Sequence, residues 1–557
     1  MRTVVSAHLP SLRLPPESPR TREVPPMSED HTQYANALLS TIEQTVYKTP
    51  EKPVFSKAGG TSSTYGELWN LARHVAAGLH AQIAGRGPIL VLGHKEVSTL
   101  AAFLGCLMSG HAFVPIDVEL PVERISNIAH QIPHATLLTT CEVPEALYDV
   151  LANCTILTMS HLCGTDYPMP SRSCCVAGEE TQYIIFTSGS TGKPKGIEVT
   201  ASNVEHFMEW LRTFPVIRDG GCVFLDQAHY SFDLSEYELV GALSTGGSLF
   251  AISPELQHDF ASLFASLAQS QVQIWVSTPS FADVCLVDKS FNATLMPSVR
   301  MFLFCGETLH HVTAAKLHER FLDALIVNTY GPTESTVAVT YGEVGEQELN
   351  NPDPLPVGRC RPGTEILIVD HQTGETLPVG TMGEIVICGN TVARGYYRNP
   401  EKTQAAFFET TLSDGTPCRG YRTGDLGYLD AKGTLHCEGR LDSLVKVNGF
   451  RIELDEVEGA LTELPGVREA AVVPVAHGKR VTSLGAFVVL EDAGEVDKDT
   501  FTAVRHLKAA LGKTLPAYMV PRQMQVVDEL PLTANGKVDR KKLAQRLARP
   551  ARHGRGA

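Results

Sequence analysis

The chain has 557 residues, 43% apolar and 20% charged, an ordinary balance for a globular enzyme with room for several α/β units. Its formal charge of −15 argues against nucleic acid as the main partner, because phosphate backbones demand a basic face. Thirteen cysteines without a C-x-x-C spacing argue against a disulfide framework and a zinc site, and point to free thiols in a reducing, cytoplasmic compartment.

No apolar run is long enough to cross a membrane, so direct membrane insertion is not expected. Residues 1–33 carry prolines at 10, 15, 16, 19, 25 and 26, which predicts a disordered leader, with Met27 an alternative start. Residues 89–92 form a short apolar run, Gly93 breaks it, 97–108 have helical apolar spacing, Gly110 ends the helix, and Phe113-Val114-Pro115 resumes as a strand. This β-α-β rhythm implies parallel sheets faced by helices, and further strands are expected at 183–186, 223–225, 249–252, 274–276, 301–304 and 325–327. Ligands of such sheets bind beyond the carboxyl ends of the strands, where Gly, Ser, Thr, Asn and Cys follow several of these runs. From about residue 440 the texture changes. A basic strand over 443–452, a helix over 455–463, strands at 470–473 and 484–489 and a helix near 501–511 predict a small α+β unit. The expected division is therefore an N-terminal domain over 34–440, a C-terminal domain over 441–547 and a basic tail over 548–557. The eight basic residues that follow from Lys537, against the single acid Asp539, read as a solvated end or as a dock for an acidic partner.

Directly after Tyr183-Ile184-Ile185-Phe186 stands Thr187-Ser188-Gly189-Ser190-Thr191-Gly192-Lys193-Pro194-Lys195-Gly196. Glycines let backbone N–H groups converge, and hydroxyls and lysines add donors, so the loop suits a polyanion such as a triphosphate. The spacing is not that of a Walker A loop, and Gly/Ser richness alone equally describes a flexible linker. The full string, however, resembles the core signature of the adenylate-forming superfamily: acyl-CoA synthetases, luciferases and the adenylation domains of peptide synthetases. Further segments resemble that family's motifs in the same order. They are Asn328-Thr329-Tyr330-Gly331-Pro332-Thr333-Glu334, Tyr421-Arg422-Thr423-Gly424-Asp425, Gly439-Arg440-Leu441-Asp442 with Lys446 and 448–453, and Pro531-Leu532-Thr533-Ala534-Asn535-Gly536-Lys537-Val538-Asp539.

The resemblance implies an α/β fold with a large adenylate-forming domain and a small mobile α+β domain, ATP and Mg²⁺ as cofactors, and these roles. Lys537 is the catalytic lysine that bridges carboxylate and α-phosphate. Thr187, Ser188, Gly189, Ser190, Thr191 and Gly192 cradle phosphates. Asn328, Thr329, Tyr330, Gly331, Pro332 and Thr333 form the nucleotide segment, with Tyr330 against adenine. Asp425 accepts the ribose hydroxyls, and Cys437, Glu438, Gly439 and Arg440 lead along the nucleotide to the domain junction. Glu334, with Thr191, holds the metal, and Asp442 is the hinge on which the small domain turns between two half-reactions.

The substrate side follows from two further segments. Asp233, in Ser231-Phe232-Asp233-Leu234-Ser235, matches the position that pairs with an amino acid's ammonium; capping a helix is its plainer reading. Phe304-Cys305-Gly306-Glu307 carries Cys305 in place of the first glycine of the usual Gly-Gly-Glu, which shrinks the pocket toward methyl size unless Cys305 is simply a small buried hydrophobe. These residues resemble the D-alanine:D-alanyl carrier protein ligase family, which implies D-alanine as substrate and the thiol of a separate phosphopantetheinylated carrier protein as acceptor, for D-alanylation of teichoic acid or a related envelope polymer. The same resemblance implies that Val337 lines the methyl side of the pocket. His229-Tyr230 depart from the Pro-Phe expected before Asp233. Three readings compete: a stand-alone adenylation enzyme for another small amino acid, an acyl-CoA synthetase in which Asp233 is incidental, and a silent nucleotide-binding module.

Overall fold

The computed structural model describes residues 33–60, 62–189, 194–257, 259–350, 355–441, 444–477, 480–491, 500–531 and 538–548. The expected leader up to residue 32 and the tail beyond Ala548 lie outside them.

Two largely parallel sheets carry the larger part. A seven-stranded sheet has Ile89–Gly93 near its centre, paired in parallel with Phe113–Asp117 on one side and Thr136–Thr139 on the other. A nine-stranded sheet sets Val223–Asp226, Ile274–Ser277, Met301–Phe304 and Leu325–Asn328 side by side in parallel, with antiparallel strands only at its edges. Parallel strands covered on both faces need continuous apolar runs, and Met301–Phe304 and Ile274–Ser277 are buried at every position. A third, antiparallel sheet of five strands spans Thr364–Val369 to Leu435–Arg440.

The strands expected from the sequence appear, most of them a residue or two longer. The helix after Ile89–Gly93 runs Val97–Ser109 and is stopped by Gly110, whose φ of 88° lies in the left-handed region and whose N–H returns to the Cys106 and Leu107 carbonyls. It packs so closely on helix Tyr65–Gln82 that a Cβ on Gly105 would stand 2.5 Å from Val75 Cγ1 and 3.0 Å from the Ala72 carbonyl oxygen. Gly105→Ala is therefore expected to lower stability by about 1–2 kcal/mol, overpacking outweighing the helix propensity gained, read as a lower urea midpoint at unchanged slope.

From Leu444 a smaller α+β layer has its own core of Val457, Leu461, Val472, Ala486, Leu511 and neighbours. The run 443–452, expected as one strand, is a hairpin of Leu444–Val447 and Phe450–Glu453. Asn448 and Gly449, at φ 51° and 85°, supply the two left-handed residues that a tight hairpin turn requires. Together, residues 34–557 cluster as one compact unit.

Candidate active site

The loop after strand Thr181–Thr187 returns as Lys195–Thr200, antiparallel to it, so the glycine-rich segment is the connection between them. Ser190, Thr191 and Gly192 lie outside the described residues. Thr187 Oγ1 is buried without a hydrogen-bond partner, a group that calls for a ligand or water. The Ser188 hydroxyl donates to the Arg451 carbonyl at 2.6 Å and accepts from the Glu453 N–H, while the Gly189 N–H donates to the Glu456 carboxylate at 3.0 Å. Glu456 is in turn paired with Arg124 at 2.5 Å. Thus the smaller layer is seated on the phosphate-type loop, with a carboxylate on one of its N–H groups.

Glu334 follows strand Leu325–Asn328 on a single 3-10 turn, Thr333–Ser335, and is fully buried. Arg451 binds both its oxygens, at 2.8 and 3.1 Å, Tyr396 donates at 2.9 Å, and Lys195 stands 3.5 Å away. Burial alone would raise its pKa; the Arg451 and Lys195 charges and these hydrogen bonds outweigh it and hold the carboxyl well below its usual range. Lys195 is pushed down to about 8, by burial first and then by Arg451, against the pull of Glu334. In this arrangement Glu334 is a carboxylate already satisfied by cations, and its donor set does not fit a divalent metal while Arg451 remains.

Asp425 lies opposite Arg440 across two antiparallel strands. It accepts hydrogen bonds from Arg440 and from the Tyr330 hydroxyl, each at 2.5 Å, and Arg440 also donates to the Thr423 carbonyl at 3.1 Å. Asn328 donates to the Pro356 carbonyl while its own Oδ1 is buried without a partner. Thr329 donates to the Phe304 carbonyl and accepts from Tyr237. Burial pushes the Cys437 thiol up to about 12, whereas Glu438 and Gly439, next along the strand, are exposed.

Asp233 is only 6% exposed, at the end of the loop that follows Val223–Asp226. Burial raises its pKa to about 6, opposed by a hydrogen bond from Thr333, pushed further by Glu334, and relieved in part by the charges of Lys446 and Arg451. Cys305 closes the strand Met301–Phe304, with its Sγ 3.7 Å from the Val337 carbonyl oxygen. Thr336 and Val337 both have positive φ, 54° and 68°, a strained conformation for β-branched residues. Gly331 permits it: a Cβ there would stand 2.8 Å from the Val337 oxygen. Strain is therefore concentrated on the wall shared by Cys305, Gly331 and Val337.

The structure brings together Ser188, Gly189, Thr333 and Glu334, and, beside them, Asp233; Tyr330, Asp425 and Arg440 form a second group, Cys305 and Val337 a third. Lys537 and Asp442 lie outside the described residues. Lys195, Tyr396, Arg451 and Glu456 hold the centre without having been singled out from the sequence. Lys195 and Arg451 stood inside quoted motifs, a usable signal; Tyr396 has none, since its partner Glu334 is 62 residues away.

The family model described as AMP-binding enzyme matches residues 42–397, and that of the AMP-binding enzyme C-terminal domain matches 456–537. The chain belongs to the AMP-binding enzyme family. Among curated relatives it is 39% identical over 512 residues to a D-alanine--D-alanyl carrier protein ligase of Bacillus licheniformis, covering 92% of this chain and 99% of that one. Against the protein of that name in Listeria monocytogenes identity is 38% over 514 residues, 91% of this chain and 98% of that one. A solved NRPS protein containing adenylation and PCP domains, bound to a vinylsulfonamide inhibitor, superposes with a TM-score of 0.78 at 25% identity, over 92% of this chain and 85% of that one. An o-succinylbenzoate CoA synthetase from Bacillus subtilis, TM-score 0.77 at 20% identity over 92% of this chain and 99% of that one, shares the fold. Among the described residues no helix is long and apolar enough to cross a membrane.

Proposed function

We propose that the protein activates D-alanine with ATP as an aminoacyl-adenylate and transfers the alanyl group to the phosphopantetheine thiol of a separate carrier protein. This is a ligase reaction that forms a carbon–sulfur bond and releases AMP. The observation that carries the reading is a buried carboxylate, Asp233, close to a methyl-sized wall of Cys305 and Val337 in a member of this family. Such a carboxylate is costly unless a cation meets it, and the α-ammonium of an amino acid is that cation. The curated relatives' shared name supports D-alanine and a carrier protein as partners; delivery onward to teichoic acid or a related envelope polymer is part of the same proposal. ATP and a reduced carrier thiol suit the cytoplasm.

The nucleotide roles are part of the same proposal. Thr187 to Gly192 and Asn328 to Thr333 surround ATP, Asp425 accepts its ribose hydroxyls once Tyr330 and Arg440 adjust, and Cys437 to Arg440 run along it. Mg²⁺ binding by Glu334 and Thr191 belongs to a different orientation of the small domain, in which Arg451 has left the carboxylate. In that orientation, reached by rotation at Asp442 of the domain that begins near residue 441, Lys537 is delivered to the site instead. The orientation described above, in which the hairpin packs so closely that a Cβ on Gly449 would collide with Thr278 Cγ2, and in which Glu456 holds the phosphate-type loop, is suited to the second half-reaction.

Pyrophosphate exchange with D-alanine, L-alanine, glycine, serine and acetate tests the proposal. D-alanine is expected to give the fastest exchange, without coenzyme A; faster exchange with another amino acid supports the stand-alone adenylation reading, and acetate as the best substrate refutes the role of Asp233. Cys305→Gly is expected to relax the preference for D-alanine over L-alanine, and unchanged discrimination makes Cys305 packing only. pH dependence follows from Asp233. Its empty-site pKa near 6 means the carboxyl is neutral below that value and anionic above, and only the anion binds the ammonium. KM for D-alanine is therefore expected to rise about tenfold for each pH unit below 6 and to be flat above, measured by exchange across that range.

A further inference from the structure

His229 sits in the loop between Val223–Asp226 and Asp233. Its Nδ1 is hydrogen-bonded to the carboxylate of Asp117, at the end of strand Phe113–Asp117. A carboxylate acceptor requires the proton on Nδ1, so the neutral ring carries its lone pair on Nε2. Asp117 is a secure anion. Burial raises its pKa, but the hydrogen bond and charge of His229, the Glu119 N–H and the Lys95 charge bring it below the ordinary value.

The pair faces the junction of the two layers. His229, Ser231 and Phe232 from the larger part and Phe450 and Tyr518 from the smaller line a cleft of about 150 Å³. Phe450 stacks on Tyr518 with ring centroids 3.8 Å apart, and lies 6.0 Å from Phe232 and 6.1 Å from His229. Ser188, Thr333 and Arg451 line the same cleft. Ser188 belongs to the phosphate-type loop, Thr333 hydrogen-bonds Asp233 and Arg451 pairs with Glu334, so one continuous space joins His229 to the site. The charged groups around the ring are accounted for. Lys95 pairs with Asp226, Arg124 with Glu456 and Arg451 with Glu334; the Glu119 carboxylate lines the same cleft, within 4.8 Å of the His229 and Asp117 side-chain atoms, and His94 and Glu255 line an adjoining chamber.

A thiol with a pKa of about 8.5 is mostly protonated at neutral pH, and only the thiolate is an effective nucleophile. We propose that His229 is the general base of the thiol-transfer half-reaction, held in position by Asp117; the assignment rests on the function proposed above. Nε2 takes the S–H proton as sulfur attacks the acyl carbon of the adenylate. The C–S bond forms, the bond from that carbon to the phosphate oxygen breaks, and its electron pair leaves with AMP. The imidazolium, stabilised by the Asp117 carboxylate, then releases its proton to water.

The test uses the full-length enzyme with ATP, D-alanine and free pantetheine as acceptor, following adenylate and thioester in the same quenched samples. In His229→Gln and in Asp117→Asn, thioester formation is expected to fall about a hundredfold or more while adenylate accumulates. With thiophenol, a more acidic thiol that is already largely ionised, the penalty is expected to shrink to a few-fold, and imidazole is expected to restore part of the rate of His229→Ala. A residue that only supports the loop would depress both thiols equally and show no imidazole rescue; either result overturns the assignment, as does an equal fall in adenylate and thioester. Absence of D-alanyl-adenylate in the unaltered enzyme refutes the proposed function itself, and is distinguishable because it needs no acceptor.

Discussion

Lys537→Ala is expected to abolish D-alanine-dependent pyrophosphate exchange, by about a thousandfold, with ATP binding still measurable by calorimetry. The reaction brings together two anions, a carboxylate and the α-phosphate. One ammonium about 4 Å from the developing charge contributes roughly 4 kcal/mol at an effective dielectric of 20, which is about three decades in rate. Such a group acts in the transition state more than in the ground state, so kcat falls and the ATP affinity set by the phosphate loop and Asp425 largely remains. Transfer from chemically supplied D-alanyl-adenylate to a thiol is expected to survive in this variant, because the acyl group is then already activated and no attack on the α-phosphate remains for an ammonium to promote. Exchange at near-normal rate would remove Lys537 from the mechanism.

Asp233→Asn has the second large effect, and it works in opposite directions on activity and stability. kcat/KM for D-alanine is expected to fall about a thousandfold, the worth of one buried ion pair to the substrate ammonium. The empty protein is expected to become more stable at pH 7.5 by about 1–3 kcal/mol. Its carboxyl titrates near 6 in the fold against 3.8 unfolded, so stability fully present below 3.8 is lost as pH rises through 6. The asparagine removes that loss. The stabilisation is therefore expected above pH 6 and to disappear near pH 4, measured by thermal melts across the range. A variant that loses activity without gaining stability at pH 7.5 would mean that the Asp233 charge is already neutralised in the empty site by Lys446 and Arg451. In the proposed function, the Asp233 carboxylate is held at a cost to the fold until the substrate ammonium arrives.

How much of this was legible in the sequence depends on the range of each interaction. The Val97–Ser109 helix and its Gly110 stop are local, and were readable from apolar spacing and one glycine. The parallel strands were readable because burial on both faces makes them short continuous apolar runs. The hairpin at 444–453 was read as a single strand, although Asn448-Gly449 is a strong turn signal; an apolar-basic alternation on both sides of the turn masked the break. The antiparallel sheet between Thr364 and Arg440 escaped because its long strands alternate weakly and its ladder shifts register between Glu384 and Val386. At the site, Glu334, Asp425 and Asp233 were named from motifs alone. Their partners were not. Arg451 reaches Glu334 across 117 positions and Glu456 reaches Gly189 across 267, contacts between the two layers that no local pattern announces. A motif states which residues matter; it does not state which of them touch in each half-reaction.

The central claim is that one site first makes D-alanyl-adenylate and then passes the alanyl group to a carrier thiol. The most direct measurement incubates the full-length enzyme with ATP, D-alanine and a phosphopantetheinylated D-alanyl carrier protein from Bacillus licheniformis, without coenzyme A, and reads the intact mass of the carrier. One alanyl group is expected on the carrier's phosphopantetheine, dependent on ATP, absent from the unmodified carrier and much reduced with L-alanine. A carrier that stays unloaded while alanyl-coenzyme A forms on adding coenzyme A would contradict it.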